Sequence, residues 1–288
     1  MKHETKVGSG RSALAAKSAL SGIALSALLG LSMNAQAQTC TTENWDVNDI
    51  NPGALTVGVQ GNDNRRYGGP CGLRVDLDGT PSYLMDMSPT GETSYIVRFY
   101  AYLDDSGDEQ IILYSADDGT EDQVQVWKNV PAVGDITLNV FDQGGGNTFM
   151  TVPAANVGAG WKAIQFSWEA SAAADNVVFS VSDRNGETEV IETIDTTGIA
   201  IAGASLGNVN GVTGGSVDFD DFDSRRVSLP GRLLRGDATD DGNINALDFI
   251  TVINEIGGGP VAAGQPDCNE DGTINALDFI CVINIIGG

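Results

Sequence analysis

Histidine is nearly absent from this chain of 288 residues: the only one, His3, lies close to the N-terminus. Beyond that point the chain has no Ser-His-Asp triad, no histidine general base and no histidine-ligated zinc. Basic residues are also scarce, with 15 Lys and Arg against 39 Asp and Glu. Because such a surface repels phosphate backbones and anionic lipids, we expect no nucleic-acid partner and no electrostatic membrane docking. An acidic surface favours divalent cations and neutral ligands instead.

Long apolar runs are lacking too, except near the N-terminus. There, four basic residues precede the small-residue stretch ALSGIALSALLGLSM, with Ala35 and Ala37 placed as in a signal-peptidase site. A retained anchor is the alternative, but the stretch is short and no basic stop-transfer cluster follows. We therefore expect residues 1–37 to be a signal peptide and the protein to be secreted, with no membrane span. Cleavage would leave 11 basic and 38 acidic residues, a net charge of −27.

Cysteine is sparse but even in number. The four residues are Cys40, Cys71, Cys268 and Cys281. In an exported protein such a set predicts disulfides, and three pairings are possible. The second copy of the internal repeat described below gains Cys268 and Cys281 together, whereas the first copy has neither. This favours a Cys268–Cys281 pair and therefore a Cys40–Cys71 pair.

Amphipathic helices are missing from residues 38–229, where short alternating runs predominate. The stretch SYIVRFYAYL places Val97 and Phe99 on one side and Tyr100 on the other, and KAIQFSW and NVVFSVS alternate likewise. Period-two alternation with one apolar face predicts strands packed against a core. About a dozen such segments predict a mainly β domain, an antiparallel two-sheet sandwich, with a closed barrel as the alternative.

The order of these strands, the size of the region and its ending GGSVDFDDFDSRR resemble the jelly-roll sandwiches of the concanavalin A-like and laminin G-like superfamily. The resemblance covers residues 40–228 and rests on pattern rather than on an invariant motif. It implies a jelly-roll-like domain that binds or cleaves glycans or polysaccharides.

Catalysis by such a sandwich would depend on a pair of carboxylates, since histidine is absent. The sandwich glycosidases that the region resembles carry Glu-x-Asp-x-x-Glu on one strand, and this spacing does not occur here. The acidic segments ETEVIETID and DFDDFD are better explained as solvated faces of an acidic protein. We therefore assign no catalytic residue and keep a glycoside hydrolase as the alternative.

A sugar-binding surface needs flat aromatic faces beside hydrogen-bonding groups. If Val97 and Phe99 face the core, then Arg98, Tyr100 and Tyr102 form such a strip on the opposite side of the strand. These three residues are the candidate ligand-binding site. The alternative is that they cover the second sheet or lie on an outer face without a ligand.

The C-terminal region, residues 230–288, contains one pattern twice. GDATDDGNINALDFITVINEIG begins at Gly236, and PDCNEDGTINALDFICVINIIG begins at Pro266. Each copy has oxygen-bearing residues at positions 1, 3, 5, 7, 9 and 12 around a glycine at position 6: Asp237, Thr239, Asp241, Asn243, Asn245 and Asp248, then Asp267, Asn269, Asp271, Thr273, Asn275 and Asp278. Calcium takes six to eight oxygen ligands and requires a loop that turns sharply. The pattern therefore predicts two calcium ions.

An apolar run with helical spacing follows each loop, ALDFITVINEIG or ALDFICVINIIG, and predicts a helix capped by Asn245 or Asn275. No matching helix precedes either loop, because Pro230, Pro260 and Pro266 interrupt those segments. Each unit is therefore half of an EF-hand.

Two such units about thirty residues apart resemble the type I dockerin family over residues 236–288. The resemblance implies a small α-helical domain with two calcium ions that docks onto a cohesin module. Cellulosomal dockerins commonly carry a Ser-Thr pair at loop positions 10 and 11 and basic residues further along the helix. Here Ala and Leu occupy both positions in each copy, and neither helix has Lys or Arg. We therefore expect a different cohesin-like partner, or intramolecular docking on the sandwich.

Together these features predict a secreted, calcium-binding, non-catalytic binding or adhesion protein with a dockerin-like module for anchoring or assembly. One alternative is a dockerin-bearing enzyme that degrades polysaccharides. The other is a structural extracellular protein whose tail is held by calcium.

Overall fold

The computed structural model describes residues 40–43, 45–58 and 65–288. The predicted signal peptide, residues 1–37, lies outside the described residues. These described residues form fourteen strands: β1 Val47–Ile50, β2 Leu55–Gly58, β3 Gly72–Asp78, β4 Ser82–Asp86, β5 Ser94–Tyr102, β6 Ile111–Asp117, β7 Asp122–Lys128, β8 Ile136–Phe141, β9 Asn147–Val152, β10 Trp161–Glu169, β11 Val177–Asp183, β12 Gly186–Glu192, β13 Gly203–Asn208 and β14 Thr213–Arg225. Two helices follow, α1 Ala246–Ile256 and α2 Ala276–Gly287.

The strands form two antiparallel sheets of seven strands each. Sheet I has the order β1-β4-β13-β6-β7-β8-β9, and sheet II has the order β12-β11-β10-β5-β14-β3-β2. The predicted mainly β fold and two-sheet sandwich are confirmed. A single closed barrel is excluded for the described residues, because each sheet ends in its own edge strands.

The core lies between the sheets and follows from the alternation in the strands. In β5, Val97 and Phe99 are fully buried in this core, and β10 contributes Ile164 and Phe166 opposite them. Burying one such aromatic side chain contributes about 2–3 kcal/mol. The intervening residues of β5 point to the outer face of sheet II, as the sequence predicts.

Both predicted disulfides are confirmed. Cys40 pairs with Cys71 at a Cα–Cα distance of 5.6 Å, and Cys268 pairs with Cys281 at 5.8 Å. The first bond joins the chain preceding β1 to the start of β3. The second joins the second loop of the repeat to α2, the helix that follows it.

The two C-terminal helices pack on each other around a small core of their own. This core contains Ala238, Val252, Ala262, Cys268 and Val282. The rings of Phe249 and Phe279 meet edge to face at 5.9 Å. The side-chain oxygens of Asn245 and Asn275 accept the N–H groups of Leu247 and Leu277 at 2.8 Å, so the predicted caps are present.

The C-terminal helices are packed together with the sandwich: the described residues, which begin at Cys40, belong to one compact unit. In the described part of the chain, no helix combines the length and the apolar character needed to cross a membrane.

Candidate calcium loops and their contact with the sandwich

The first loop, residues 237–248, is closed by the carboxylates at its two ends. Asp237 accepts the backbone N–H groups of Asp241 at 3.1 Å and Gly242 at 2.8 Å. Asp248 accepts the backbone N–H groups of Thr239 at 3.0 Å and Asn245 at 2.8 Å. These bonds hold the chain in a tight turn with the carboxylates of Asp237 and Asp248 directed inward.

The second loop, residues 267–278, repeats this geometry. Asp267 accepts the N–H groups of Asp271 at 3.1 Å and Gly272 at 2.8 Å. Asp278 accepts those of Asn269 at 3.1 Å and Asn275 at 2.7 Å.

The glycine at position 6 is required in both loops by the backbone conformation. Gly242 and Gly272 have φ values of 79° and 84°, in the left-handed region that a side chain rarely adopts. The repeated sequence therefore folds into repeated structure.

Four carboxylates at the ends of the loops are buried without a cationic partner. Asp248, Asp267 and Asp278 are 0% exposed and Asp237 is 5% exposed. None of them belongs to an ion pair among the described residues. Burying a carboxylate without a compensating charge is unfavourable, so the arrangement lacks a positive charge.

The pKa values in the second loop reflect the same shortage of positive charge. Burial, reinforced by the charge of Asp278, raises the pKa of Asp267 well above its usual range. Burial also raises the pKa of Asp278. A bound divalent cation would compensate both charges. The donor set, which contains only oxygens, fits calcium.

Carboxylates alone do not complete the set of candidate calcium ligands in either loop. Within the described residues, no three Asp, Glu, His or Cys side chains form a metal cluster by themselves. The remaining donors at each loop are hydroxyl, amide and backbone carbonyl oxygens, which hard cations accept.

The second loop also contacts the sandwich, through Glu270 at loop position 4. Glu270 is 0% exposed. Its Oε1 accepts the Tyr67 hydroxyl at 2.6 Å and forms an ion pair with the guanidinium of Arg232. Its backbone carbonyl accepts the N–H of Trp161, at the start of β10, at 3.0 Å. Both the side chain and the backbone of Glu270 are therefore bound to partners outside the loop.

Two further contacts join the C-terminal module to the segment that precedes β3. Arg66, whose side chain is fully buried, forms an ion pair with Glu255 near the end of α1. The N–H of Gly69 donates to the carbonyl of Gly264 at 3.0 Å. Intramolecular docking, one of the two expected arrangements, is therefore present. It uses the second loop, the end of α1 and the segment between α1 and the second loop rather than the apolar sides of the helices.

The candidate sugar-binding strip is on the outer face of sheet II but is covered. Arg98, Tyr100 and Tyr102 are only 4%, 0% and 8% exposed. The ring of Tyr67 stacks on Tyr100 at 3.7 Å, and the guanidinium of Arg65 lies 4.1 Å from the centre of the Tyr102 ring.

The strip is therefore not the open surface that the sequence predicts, because residues 65–67 and the segment before the first loop lie over it. The covering residues 65–67 are visible in the sequence as the run RRY, which places two arginines and a tyrosine next to each other in a mostly acidic chain.

The apolar faces of α1 and α2 remain exposed. Leu247, Ile250 and Ile253 of α1 are 57%, 49% and 41% exposed. Their counterparts in α2, Leu277, Ile280 and Ile283, are 56%, 44% and 44% exposed. We call these six residues the apolar helix face. Groups of exposed apolar side chains are typical of interaction sites.

Residues 235–287 match the family described as the dockerin type I domain. The predicted resemblance of the C-terminal region to type I dockerins is therefore confirmed. Dockerin domains of this type bind calcium and cohesins, and they serve as assembly or anchoring modules. No curated protein matches the chain.

Among solved structures, the chain is similar to receptor-binding domains of botulinum neurotoxins. The type G domain is 11% identical with a TM-score of 0.37, covering 60% of this chain and 44% of the toxin chain. The serotype D domain in complex with N-acetylneuraminic acid is 8% identical with a TM-score of 0.42, covering 60% and 43%. An alginate lyase is 10% identical with a TM-score of 0.38, covering 55% and 75%.

The chain spans less than half the length of these toxin domains. All these similarities concern the β-sandwich fold alone, and no function is transferred from them.

Proposed function

We propose that this protein, whose C-terminal region is a dockerin domain, is a secreted, non-catalytic binding or adhesion protein anchored through that domain. In this proposal residues 38–229 are a polysaccharide-associated sandwich, and residues 230–288 hold two calcium ions. The observation that carries it is the pair of loops with matching, buried carboxylates and no cationic partner among the described residues. The two disulfides of the described chain support export to an oxidising compartment.

Calcium would be held by the residues at loop positions 1, 3, 5, 7, 9 and 12, with position 7 contributing its backbone carbonyl. The ion would supply the positive charge that the buried end carboxylates lack. The proposed ligands are Asp237, Thr239, Asp241, Asn243, Asn245 and Asp248 in the first loop, and Asp267, Asn269, Asp271, Thr273, Asn275 and Asp278 in the second.

The partner of the dockerin domain would be a cohesin-like module that covers the apolar helix face. This face contains no Lys or Arg, so its partner needs an apolar surface rather than an array of carboxylates. The docked second loop leaves this face free, because the contacts with the sandwich lie on other residues. Anchoring to a partner and docking on the sandwich are therefore compatible.

The calcium assignment is tested by thermal unfolding of the purified protein after chelation and after calcium is restored. A ligand bound only by the folded state stabilises it, so calcium is expected to raise the melting temperature. Asp241→Ala combined with Asp271→Ala should abolish the increase. Asp240→Ala is the matched control, because this neighbouring acid is exposed and is not a proposed ligand.

An unchanged melting temperature on restoring calcium to the ion-free protein would contradict the calcium assignment. A calcium effect that persists in the double variant would instead contradict the assigned ligands.

A further inference from the structure

The outer face of sheet II carries a polar groove beside the covered tyrosines. One row of its floor crosses four neighbouring strands. Glu189 of β12 is opposite Ser180 of β11, Ser180 is opposite Gln165 of β10, and Gln165 is opposite Arg98 of β5. Three strand spacings make this row about 14 Å long. The floor is therefore long enough for an extended ligand.

A second row and a wall complete the groove. Glu187 is opposite Ser182, which is opposite Ala163. The wall is formed by Leu229, Gly231 and Arg232, which lie between the sandwich and the first calcium loop, and the groove has a volume of about 460 Å³. Because Arg232 is held by Glu270 of the second loop, docking of the C-terminal module helps to shape this wall.

One buried polar group of the groove has no partner in the described part of the chain. Arg98 is 4% exposed, and its Nε–H makes no hydrogen bond, although its other nitrogens bind the Gly231 carbonyl and the Asp221 carboxylate. Ser180 and Ser182 also line the groove, and each residue is less than a tenth exposed. Buried polar groups normally have partners, so the unpaired Arg98 Nε–H is suited to a ligand acceptor, and the two serines add hydroxyl groups on the same face of the sheet.

The charge of the groove restricts the ligand. Arg98 and Arg232 are each neutralised by an ion pair, with Asp221 and Glu270 respectively. Glu187 and Glu189 are not buried, and they form no ion pair within the described residues. The groove is therefore negative, which disfavours uronates, sulfated sugars and other anions.

We propose that this groove binds a neutral saccharide chain through its hydroxyl groups. The two glutamates would accept hydroxyl hydrogens, the serines and Gln165 would donate and accept, and the Arg98 Nε–H would donate. The groove is lined by no aromatic ring of the described residues, so recognition relies on the hydroxyls rather than on stacking. The inference rests on the proposed polysaccharide association and assigns it a site.

The test is affinity electrophoresis of the purified protein in native gels that contain soluble β-glucan, xylan or galactomannan, with alginate as the anionic comparison. At least one neutral polysaccharide is expected to retard the protein, and alginate is not. Glu187→Ala combined with Glu189→Ala should weaken the retarding interaction at least tenfold. Glu192→Ala is the matched control, because it lies on the same strand, is also exposed, and does not line the groove.

Failure of all three neutral polysaccharides to retard the protein, or stronger retardation by alginate, would overturn the proposal. Equal retardation of the double variant and the Glu192→Ala control would overturn the site but leave polysaccharide association intact. Melting temperatures of all variants, measured in calcium, show that they are folded. The calcium response of the dockerin domain is a separate readout, so failure of the groove and failure of the anchoring proposal are distinguishable.

Discussion

The two candidate calcium loops have the same internal geometry but different surroundings. At loop position 4 the chain adopts the same left-handed conformation in both, with φ 60° at Asp240 and 59° at Glu270. Asp240 is exposed to solvent, whereas Glu270 is fully buried against the sandwich. The hydrogen bonds around the end carboxylates are nevertheless matched. Local sequence thus determines the loop, whereas the attachment of the second loop depends on the side chain and the backbone of Glu270.

The largest difference between the loops is expected on removing these two side chains. Glu270→Ala leaves Tyr67 and Arg232 without their acceptor and should lower the free energy of unfolding by about 3 kcal/mol. Asp240→Ala should change it by less than about 0.5 kcal/mol. Urea unfolding in the presence of calcium measures both. Equal effects of the two variants would show that Glu270 does not hold the module to the sandwich.

A second difference concerns the close approach of the sandwich to the second loop. A Cβ atom at Gly160 would lie 2.0 Å from the Glu270 carbonyl oxygen. Gly145, which also has a positive φ, has no described heavy atom within 4 Å of such a Cβ. Since both alanine variants share the backbone strain, Gly160→Ala should be less stable than Gly145→Ala by about 2 kcal/mol. Similar melting temperatures for the two would contradict the close contact between the start of β10 and the second loop.

A pH-dependent effect arises beneath the contact of the second loop. Asp220 accepts the N–H groups of Tyr67 and Gly68, and burial raises the pKa of its carboxyl to about 7 despite these bonds. The folded protein therefore retains a proton that the unfolded chain releases near pH 4. The contribution of Asp220 to stability is full below pH 4 and is lost as the pH rises through 7.

Asp220→Asn should remove this component, which amounts to at most about 1.4 kcal/mol per pH unit. Unfolding free energies at pH 5 and pH 8 measure it. An identical pH dependence in the protein and the variant would show that the carboxyl is ionised throughout.

The parts of the molecule that depend on local pattern were predictable from the sequence. Period-two alternation identified the core side of β5, because Val97 and Phe99 are apolar and regularly spaced. The proposed loop ligands follow from fixed spacing around Gly242 and Gly272. The disulfide pairing followed from comparing the two copies of the repeat, since Cys268 and Cys281 are both specific to the second.

Contacts between distant segments were not predictable in the same way. The alternation placed Tyr100 correctly on the outer face, but it contains no information on Tyr67, which covers the ring from another part of the chain. The attachment of Glu270 also joins residues far apart in sequence, Tyr67 and Arg232. Nothing in the spacing around Glu270 distinguishes it from Asp240, because both are acids at the same loop position.

The central claim is that both loops bind calcium despite their different surroundings. The most direct test is a calorimetric calcium titration of the ion-free protein, with Asp241→Ala and Asp271→Ala as separate variants. We predict two ions per chain for the unchanged protein and one for each variant. Binding of no calcium, or the same number of ions in the variants as in the unchanged protein, would contradict the account.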